Sequence, residues 1–258
     1  MNDIKKDYTI QTVQNAMQIL RLFTVEKREW TLSEIAEKKT MSISTTKRLL
    51  KVLENYRYLE RRSGTKKYRL GLSILRLSGI VTTTMEIHRE AQSSLKKLVN
   101  DFGEAVHIGI LEGTETVYLD KMESLHPVRL SSHTGKNNPA CCTGCGKVIL
   151  AFKEHTEQEE IIKTIELQGF YQFGSKTVRN ARELKSHLNQ IKKQGYAVCI
   201  DEFSEGITSI AAPVYDYNES VVASISITGP NNRIDIPLFV EGVVKAGKDI
   251  SESLGYIY

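Results

Sequence analysis

Three of the chain's four cysteines, Cys141, Cys142 and Cys145, stand within five residues in the stretch NPACCTGCGK. Cys142 and Cys145 form a C-x-x-C, a spacing suited to metal ligation or dithiol redox chemistry. If this stretch opens a helix, the positive end of the helix dipole should lower the thiol pKa values and favour both. A closed zinc site needs four ligands, and only Cys141, Cys199 or His133 could complete this one. A thiol- or metal-responsive protein using Cys142 and Cys145 is therefore one reading. The GCGK segment also shares letters with a phosphate-binding loop. That motif, however, requires Gly at position 141 and Ser or Thr at 148, where the chain has Cys141 and Val148.

Catalytic constellations are missing from the sequence. It contains no H-E-x-x-H, no G-x-S-x-G and no nucleophile–base pair at a recognisable spacing. Its six histidines are scattered. No catalytic residue, metal site or cofactor is assigned, and the chain is not expected to be an enzyme.

The elements that would position the thiols come from the rest of the 258 residues. Apolar runs such as VVASISI fall far short of the roughly 20 residues that span a bilayer. The N-terminus MNDIKKDYTIQ has no apolar signal region, so a cytoplasmic protein without membrane contact is expected. Clustered cysteines do not make a disulfide framework. Net charge is only +4, but residues 1–78 carry 17 Lys and Arg against 8 Asp and Glu, whereas the remainder is acidic. A basic N-terminal third suits a polyanionic partner.

That third reads as a winged helix-turn-helix. TVQNAMQILRLF places Val13, Ala16, Met17, Leu20 and Phe23 on one helical face. TLSEIAEKK opens with a capping box, Thr31 and Glu34, and buries Leu32, Ile35 and Ala36. After a tight turn, ISTTKRLLKVLENY turns Thr46, Leu49, Leu50 and Leu53 inward. This second helix is the recognition candidate. It presents Ser42, Ser44, Thr45, Lys47, Arg48 and Lys51, residue types that bond base edges or phosphates. The following YLERRSGTKKYRLG predicts a hairpin turning at Ser63–Thr65, with Leu59, Tyr68 and Leu70 inward. Its cations Arg61, Arg62, Lys66, Lys67 and Arg69 suit a wing on the DNA backbone. Double-stranded DNA is the expected partner.

Further on, a helical stretch begins at Leu72, and a second amphipathic helix ends at Gly103. AVHIGILEGTETVYLDKME predicts two strands around Glu112-Gly113, and PVRLSSH another. Helices are expected over Thr143–Phe152, from Thr156 with a Thr156/Glu159 capping box, over Asn180–Gln194, and from Pro237. Strands return at YAVCID, GITSIAAPVYD and SVVASISITG. This is an α+β domain on an antiparallel sheet, and such a sheet, open on one face, can cradle a small molecule.

The stretches VQNAMQILRLF, LSEIAEKKTMSISTTKRLLKVLE, KKYRLG, PACCTGCGKVILA, QGYAVCIDEFSEGITSIAAPV and SISITGP, in this order, resemble the IclR family of bacterial transcriptional regulators over about residues 9–255. The resemblance implies three parts: a winged helix-turn-helix domain at 9–71, a linker helix at 72–84 used in dimerisation, and a GAF-like effector-binding domain at 85–258. It also implies a homodimer or dimer of dimers on a palindromic operator, usually acting as a repressor. A small metabolite, often a carboxylic acid, would modulate it. By position, the implied effector contacts are Leu130, the backbone of Gly144 and Cys145, Cys199, Ile207, Ser209, Ser226 and Thr228. Several positions depart from the family pattern. An acidic residue is frequent at 199, a cysteine at 209, a histidine at 141 and a basic residue at 43, where this chain has Cys199, Ser209, Cys141 and Ile43. Glu202 and Gly206 match the pattern and would shape the turn.

Overall fold

The computed structural model describes residues 10–127 and 130–257. The chain divides into two compact units, Met1–Thr84 and Met85–Tyr258. No helix among the described residues is long and apolar enough to cross a membrane.

In the first unit, α1 (Gln11–Leu20) is followed by the two-residue strand β1 (Trp30–Thr31), α2 (Leu32–Lys38) and α3 (Ile43–Asn55). Strands β2 (Leu59–Arg61) and β3 (Lys67–Leu70) and helix α4 (Ser73–Thr84) complete it. Helix α2 starts where expected, because the Glu34 amide donates to Thr31 Oγ1 while the Thr31 amide donates to the Glu34 carboxylate. The hydrogen bond from Lys27, with those from Thr31, holds the Glu34 carboxyl at about 2. Helix α3 is capped by Ser42, whose hydroxyl accepts from the Thr45 amide. The three strands lie in the order β1-β3-β2. Ile19, Trp30, Ile35, Leu49, Leu50, Leu53, Leu59 and Tyr68 form the core beneath them.

Two expectations fail here. Helix α1 buries Ile19 and leaves Val13 and Met17 exposed. Ala16, Leu20 and Phe23 pack against the core as expected, but Val13 and Met17 lie at the edge of the same apolar arc, beyond the reach of the core centred on Ile19. Leu70 is exposed instead of inward. Strand β1 reaches only Tyr68 and Lys67 of β3, so it does not extend over Leu70.

The second unit begins with α5 (Glu86–Phe102), closed by Gly103 in the left-handed conformation at φ 74°. Strands β4 (Ala105–Glu112), β5 (Glu115–Met122) and β6 (Asn137–Pro139) follow, then α6 (Gly144–Phe152), α7 (His155–Gln168) and α8 (Ala181–Gln194). Strands β7 (Ala197–Ile200), β8 (Ile207–Tyr215) and β9 (Val221–Pro230) precede α9 (Ile236–Ser253). The sheet is antiparallel, in the order β6-β5-β4-β9-β8-β7.

Alternation along the strands separates two cores. On one face Val106, Ile108, Ala212, Ile225 and Ile227 pack with Leu95 and Leu98 of α5 and Val243 and Ile250 of α9. On the other, Ala197 and Ala211 pack with Val148 and Leu150 of α6, Ile162 of α7, and Leu184 and Leu188 of α8. The sheet is therefore not open on one face as expected, because α6 lies across it, and a cavity remains at the N-terminal end of that helix.

Two further boundaries move. Helix α7 starts at His155 with Glu154 at its cap and no side-chain cap bond. The Thr156/Glu159 box does not form, because the Glu159 carboxylate accepts from Lys185 of α8 at 2.6 Å. The strand expected over PVRLSSH falls partly on residues 128 and 129, outside the described residues, and Leu130–His133 form none. There the Lys121 ammonium takes the carbonyls of Leu130 (3.1 Å) and Ser132 (2.8 Å), acceptors a ladder would have used.

Candidate nucleic-acid face and effector cavity

On α3 every proposed contact residue, Ser42, Ser44, Thr45, Lys47, Arg48 and Lys51, is exposed. Thr46, Leu49, Leu50 and Leu53 hold the opposite face in the core. The hydroxyls of the first turn are engaged with one another. Ser42 Oγ donates to Thr45 Oγ1 at 2.9 Å and shares a hydrogen bond of 3.0 Å with Ser44 Oγ. Lys51 is paired with Glu54 at 3.3 Å.

The hairpin presents Arg61, Arg62, Lys66 and Lys67, all exposed. Its turn uses the positive φ of Gly64 (85°) and Lys66 (53°). Two of its cations are already satisfied, Arg62 by Glu29 at 2.9 Å and Arg69 by Glu60 across the strands at 2.9 Å. The Arg62–Glu29 contact spans 33 residues, and no local pattern announced it. Exposed pairs of this kind are weak. Among the described residues Lys47, Arg48, Arg61, Lys66 and Lys67 meet no carboxylate within ion-pair distance. They form a basic surface over the recognition helix and hairpin.

The second unit holds a cavity of about 170 Å³ at the start of α6. Leu130, Cys199, Ile207, Ser209 and Thr228 line it, as the sequence reading placed them. The register explains the grouping, since Cys199 pairs with Ser209 and Ser209 with Thr228 across β7, β8 and β9. The Thr228 hydroxyl donates to Ser209 Oγ at 3.1 Å.

Gly144, Cys145 and Ser226 are not in the cavity wall but in the packing beneath it. A Cβ at Gly144 would meet Ser209 Oγ at 2.9 Å, so glycine lets the helix start press on the sheet. Cys145 turns its thiol into the sheet, donating to the Ser224 carbonyl at 3.5 Å beside Ser226. Thr143, which does line the cavity, caps α6, its hydroxyl accepting from the Gly146 amide. The amide of Lys147 bonds the Thr143 carbonyl. Helix α6 offers no acceptor to the Gly144 and Cys145 amides.

Sequence reasoning missed the wall opposite. His107 is buried, its Nε2 shares a hydrogen bond of 2.8 Å with Ser132 Oγ, and its ring lies 4.6 Å from that of Tyr118. Burial, helped by the charge of Lys121, pushes His107 down to about 3, so the ring is neutral at ordinary pH. Asn138 Nδ2 donates to the Tyr118 hydroxyl at 3.4 Å. Lys136 and Phe203 also reach the cavity. The signal was present in the alternation of AVHIGIL, which puts His107 and Gly109 on the face toward α6.

The thiols behave differently from the C-x-x-C expectation. Cys142 donates to the Pro139 carbonyl at 3.6 Å, whereas Cys145 engages Ser224, so the two serve different walls. Burial pushes Cys145 up to about 11, and Cys199 is raised for the same reason. Cys142 is raised by its contact with Cys141 and by burial, while the Cys142 S–H lowers Cys141. Among the described residues no three His, Cys, Asp or Glu side chains come together to hold a metal ion.

Behind the cavity Lys147 is 1% exposed. Its ammonium pairs with the Glu202 carboxylate and lies 2.8 Å from His187 Nδ1. This pair joins α6 to the turn after β7, and so fixes the helix start relative to Cys199 and Phe203.

Two family models cover the chain. The IclR helix-turn-helix domain matches residues 12–63, and the C-terminal domain of bacterial transcriptional regulator IclR matches residues 80–252. The HTH-type transcriptional regulator XynR of Escherichia coli K12 is 31% identical over 250 residues, covering 96% of this chain and 98% of XynR. The crystal structure of the Thermotoga maritima IclR is 30% identical with a TM-score of 0.77, covering 96% of this chain and all of that one. An IclR homologue from Microbacterium hydrocarbonoxydans, crystallised with 4-hydroxybenzoate, shares the fold at 21% identity. Its TM-score is 0.83, and the match covers 95% of this chain and 99% of that one.

Proposed function

The chain belongs to the IclR family of bacterial transcriptional regulators, and from that premise we propose that it is a repressor whose operator affinity is set by a small carboxylic acid. In this reading residues 9–71 bind DNA, 72–84 link, and 85–258 bind the effector. The DNA contacts are Ser42, Ser44, Thr45, Lys47, Arg48 and Lys51 of α3 with Arg61, Arg62, Lys66 and Lys67 of the hairpin. The effector contacts are Leu130, Cys199, Ile207, Ser209 and Thr228, with the backbone amides of Gly144 and Cys145 at the helix start; Ser226, which packs beneath the wall, is not among them.

One observation carries the choice of an acid. Among the described residues the cavity wall has a single charged side chain, the cation Lys136, and no carboxylate, and it lies at the N-terminus of α6. A helix N-terminus favours an anion through its free amides and dipole. The neutral His107 and the hydroxyls of Tyr118, Ser209 and Thr228 add hydrogen-bonding capacity without negative charge.

The linker reading draws on α4, which buries none of its residues and exposes Leu75, Leu77, Ile80 and Val81, with Leu72 exposed just before it. Exposed apolar surface of this kind calls for a partner. A second copy fits a homodimer or dimer of dimers on a palindromic operator in the cytoplasm. The alternative, a thiol- or metal-responsive regulator, draws no support from Cys142, raised by its contact with Cys141 and by burial, or from Cys145, raised by burial.

The test is a thermal-unfolding screen of the full chain against small carboxylic acids, each beside its primary amide. A ligand at 100 times its Kd adds about 2.7 kcal/mol. At least one acid should raise the unfolding temperature while its amide does not. Stabilisation by amide and acid alike would remove the anion from the proposal.

A further inference from the structure

Ile43, the first residue of α3, has no structural task. It is 51% exposed and lies outside the core that Leu49, Leu50 and Leu53 of the same helix enter. A β-branched residue is also a weaker helix former than most, so neither packing nor propensity calls for isoleucine there. Single exposed apolar residues are common on protein surfaces, and exposure alone would decide nothing. Its position decides more. Ile43 opens the recognition helix, between Ser42 and Ser44, and shares a flank with Lys47 four residues on.

The N-terminal residues of a recognition helix are those that meet base edges in the major groove. Around Ile43 the hydroxyls of Ser42, Ser44 and Thr45 are bonded to one another and to the Thr45 amide. The first turn therefore presents an apolar branched side chain in a ring of mutually satisfied hydroxyls. The apolar feature of a base pair in the major groove is the 5-methyl group of thymine.

We propose that Ile43 reads one thymine in each operator half-site through its 5-methyl group. This rests on α3 acting as the recognition helix. The contact makes Ile43 a specificity-determining residue, selecting a base pair by methyl contact, while Lys47 and Arg48 supply charge.

The experiment uses the full chain and an operator enriched from randomised duplex DNA. Each thymine is replaced singly by deoxyuridine, which removes the methyl group and leaves pairing unchanged. At one thymine per half-site the replacement weakens binding about fourfold, the worth of one methyl group withdrawn from water. Ile43→Ala binds the thymine and deoxyuridine forms of that site equally, and Ile43→Val keeps part of the discrimination. Because each variant is compared with itself on two DNAs, a change in its stability does not enter. An enriched operator with no such thymine, or an Ile43→Ala protein that still discriminates as the parent does, overturns the proposal. Failure to enrich any sequence overturns the DNA-binding reading itself, a different result from an enriched operator indifferent to the methyl group.

Discussion

At the scale of single residues, the buried pair of Lys147 and Glu202 ties α6, whose start borders the cavity, to the turn after β7. Their side chains are 1% and 6% exposed. Removing one partner of a buried pair leaves a charge without compensation and costs about 3–5 kcal/mol, whereas removing both costs far less. Lys147→Met should therefore lower unfolding free energy in urea by about that amount, and adding Glu202→Gln should restore most of it. A single variant as stable as the parent would mean that the pair is not what joins α6 to the β7 turn. Legibility at this scale was uneven. Cys199, Ser209 and Thr228, which line the cavity, were placed by the family pattern, whereas alternation alone paired Thr228 with Ser226, which lies beneath the wall. His107 and the Lys147–Glu202 pair were missed, since their partners lie 25 and 55 residues away in sequence. The directions of the Cys142 and Cys145 thiols were not legible, because spacing reveals a C-x-x-C but not which way each thiol turns.

At the scale of elements, the hairpin between β2 and β3 joins sequence to function most directly. Its turn chemistry, Ser63-Gly64-Thr65, was legible because glycine supplies the positive φ. Its charge was only partly legible, because Glu29 neutralises Arg62 from a distant segment. Among the described residues Lys66 and Lys67, with Arg61, are the wing's cations that meet no carboxylate, so counterion release should depend on them. Replacing both lysines by Ala should reduce the magnitude of the slope of log affinity against log salt by about 2 per bound protomer. An unchanged slope would place the hairpin away from the phosphates. Elsewhere, helices with a side-chain cap and a glycine stop, such as α8 between Asn180 and Gly195, matched their expected limits. Helix α7 did not, because Glu159 found a better partner in Lys185 than in its own helix end.

At the scale of the whole molecule, charge asymmetry and hairpin-and-helix order were enough to expect a DNA-binding unit followed by an α+β unit. The covering of the sheet by α6 was not legible. It depends on Gly109, Gly144 and Gly146, at which a Cβ would come within about 3 Å of packed atoms; at Gly146 the nearest are Ala140 Cα at 2.4 Å and Thr116 Oγ1 at 2.5 Å. Small residues let the helix N-terminus sit close to the strands, and that closeness makes the cavity in which we propose an acid binds. The central claim is that an acid held there changes DNA affinity, and linkage requires the two affinities to alter each other by the same factor. The most direct measurement is the Kd of the full chain for its enriched operator, by fluorescence anisotropy, with and without 4-hydroxybenzoate and other small carboxylic acids. At least one acid should weaken operator binding, by roughly 5- to 150-fold for a typical coupling, and Ser209→Phe, which fills the cavity, should abolish the change. Operator affinity indifferent to every acid, or a Ser209→Phe protein that responds as the parent does, would contradict the account.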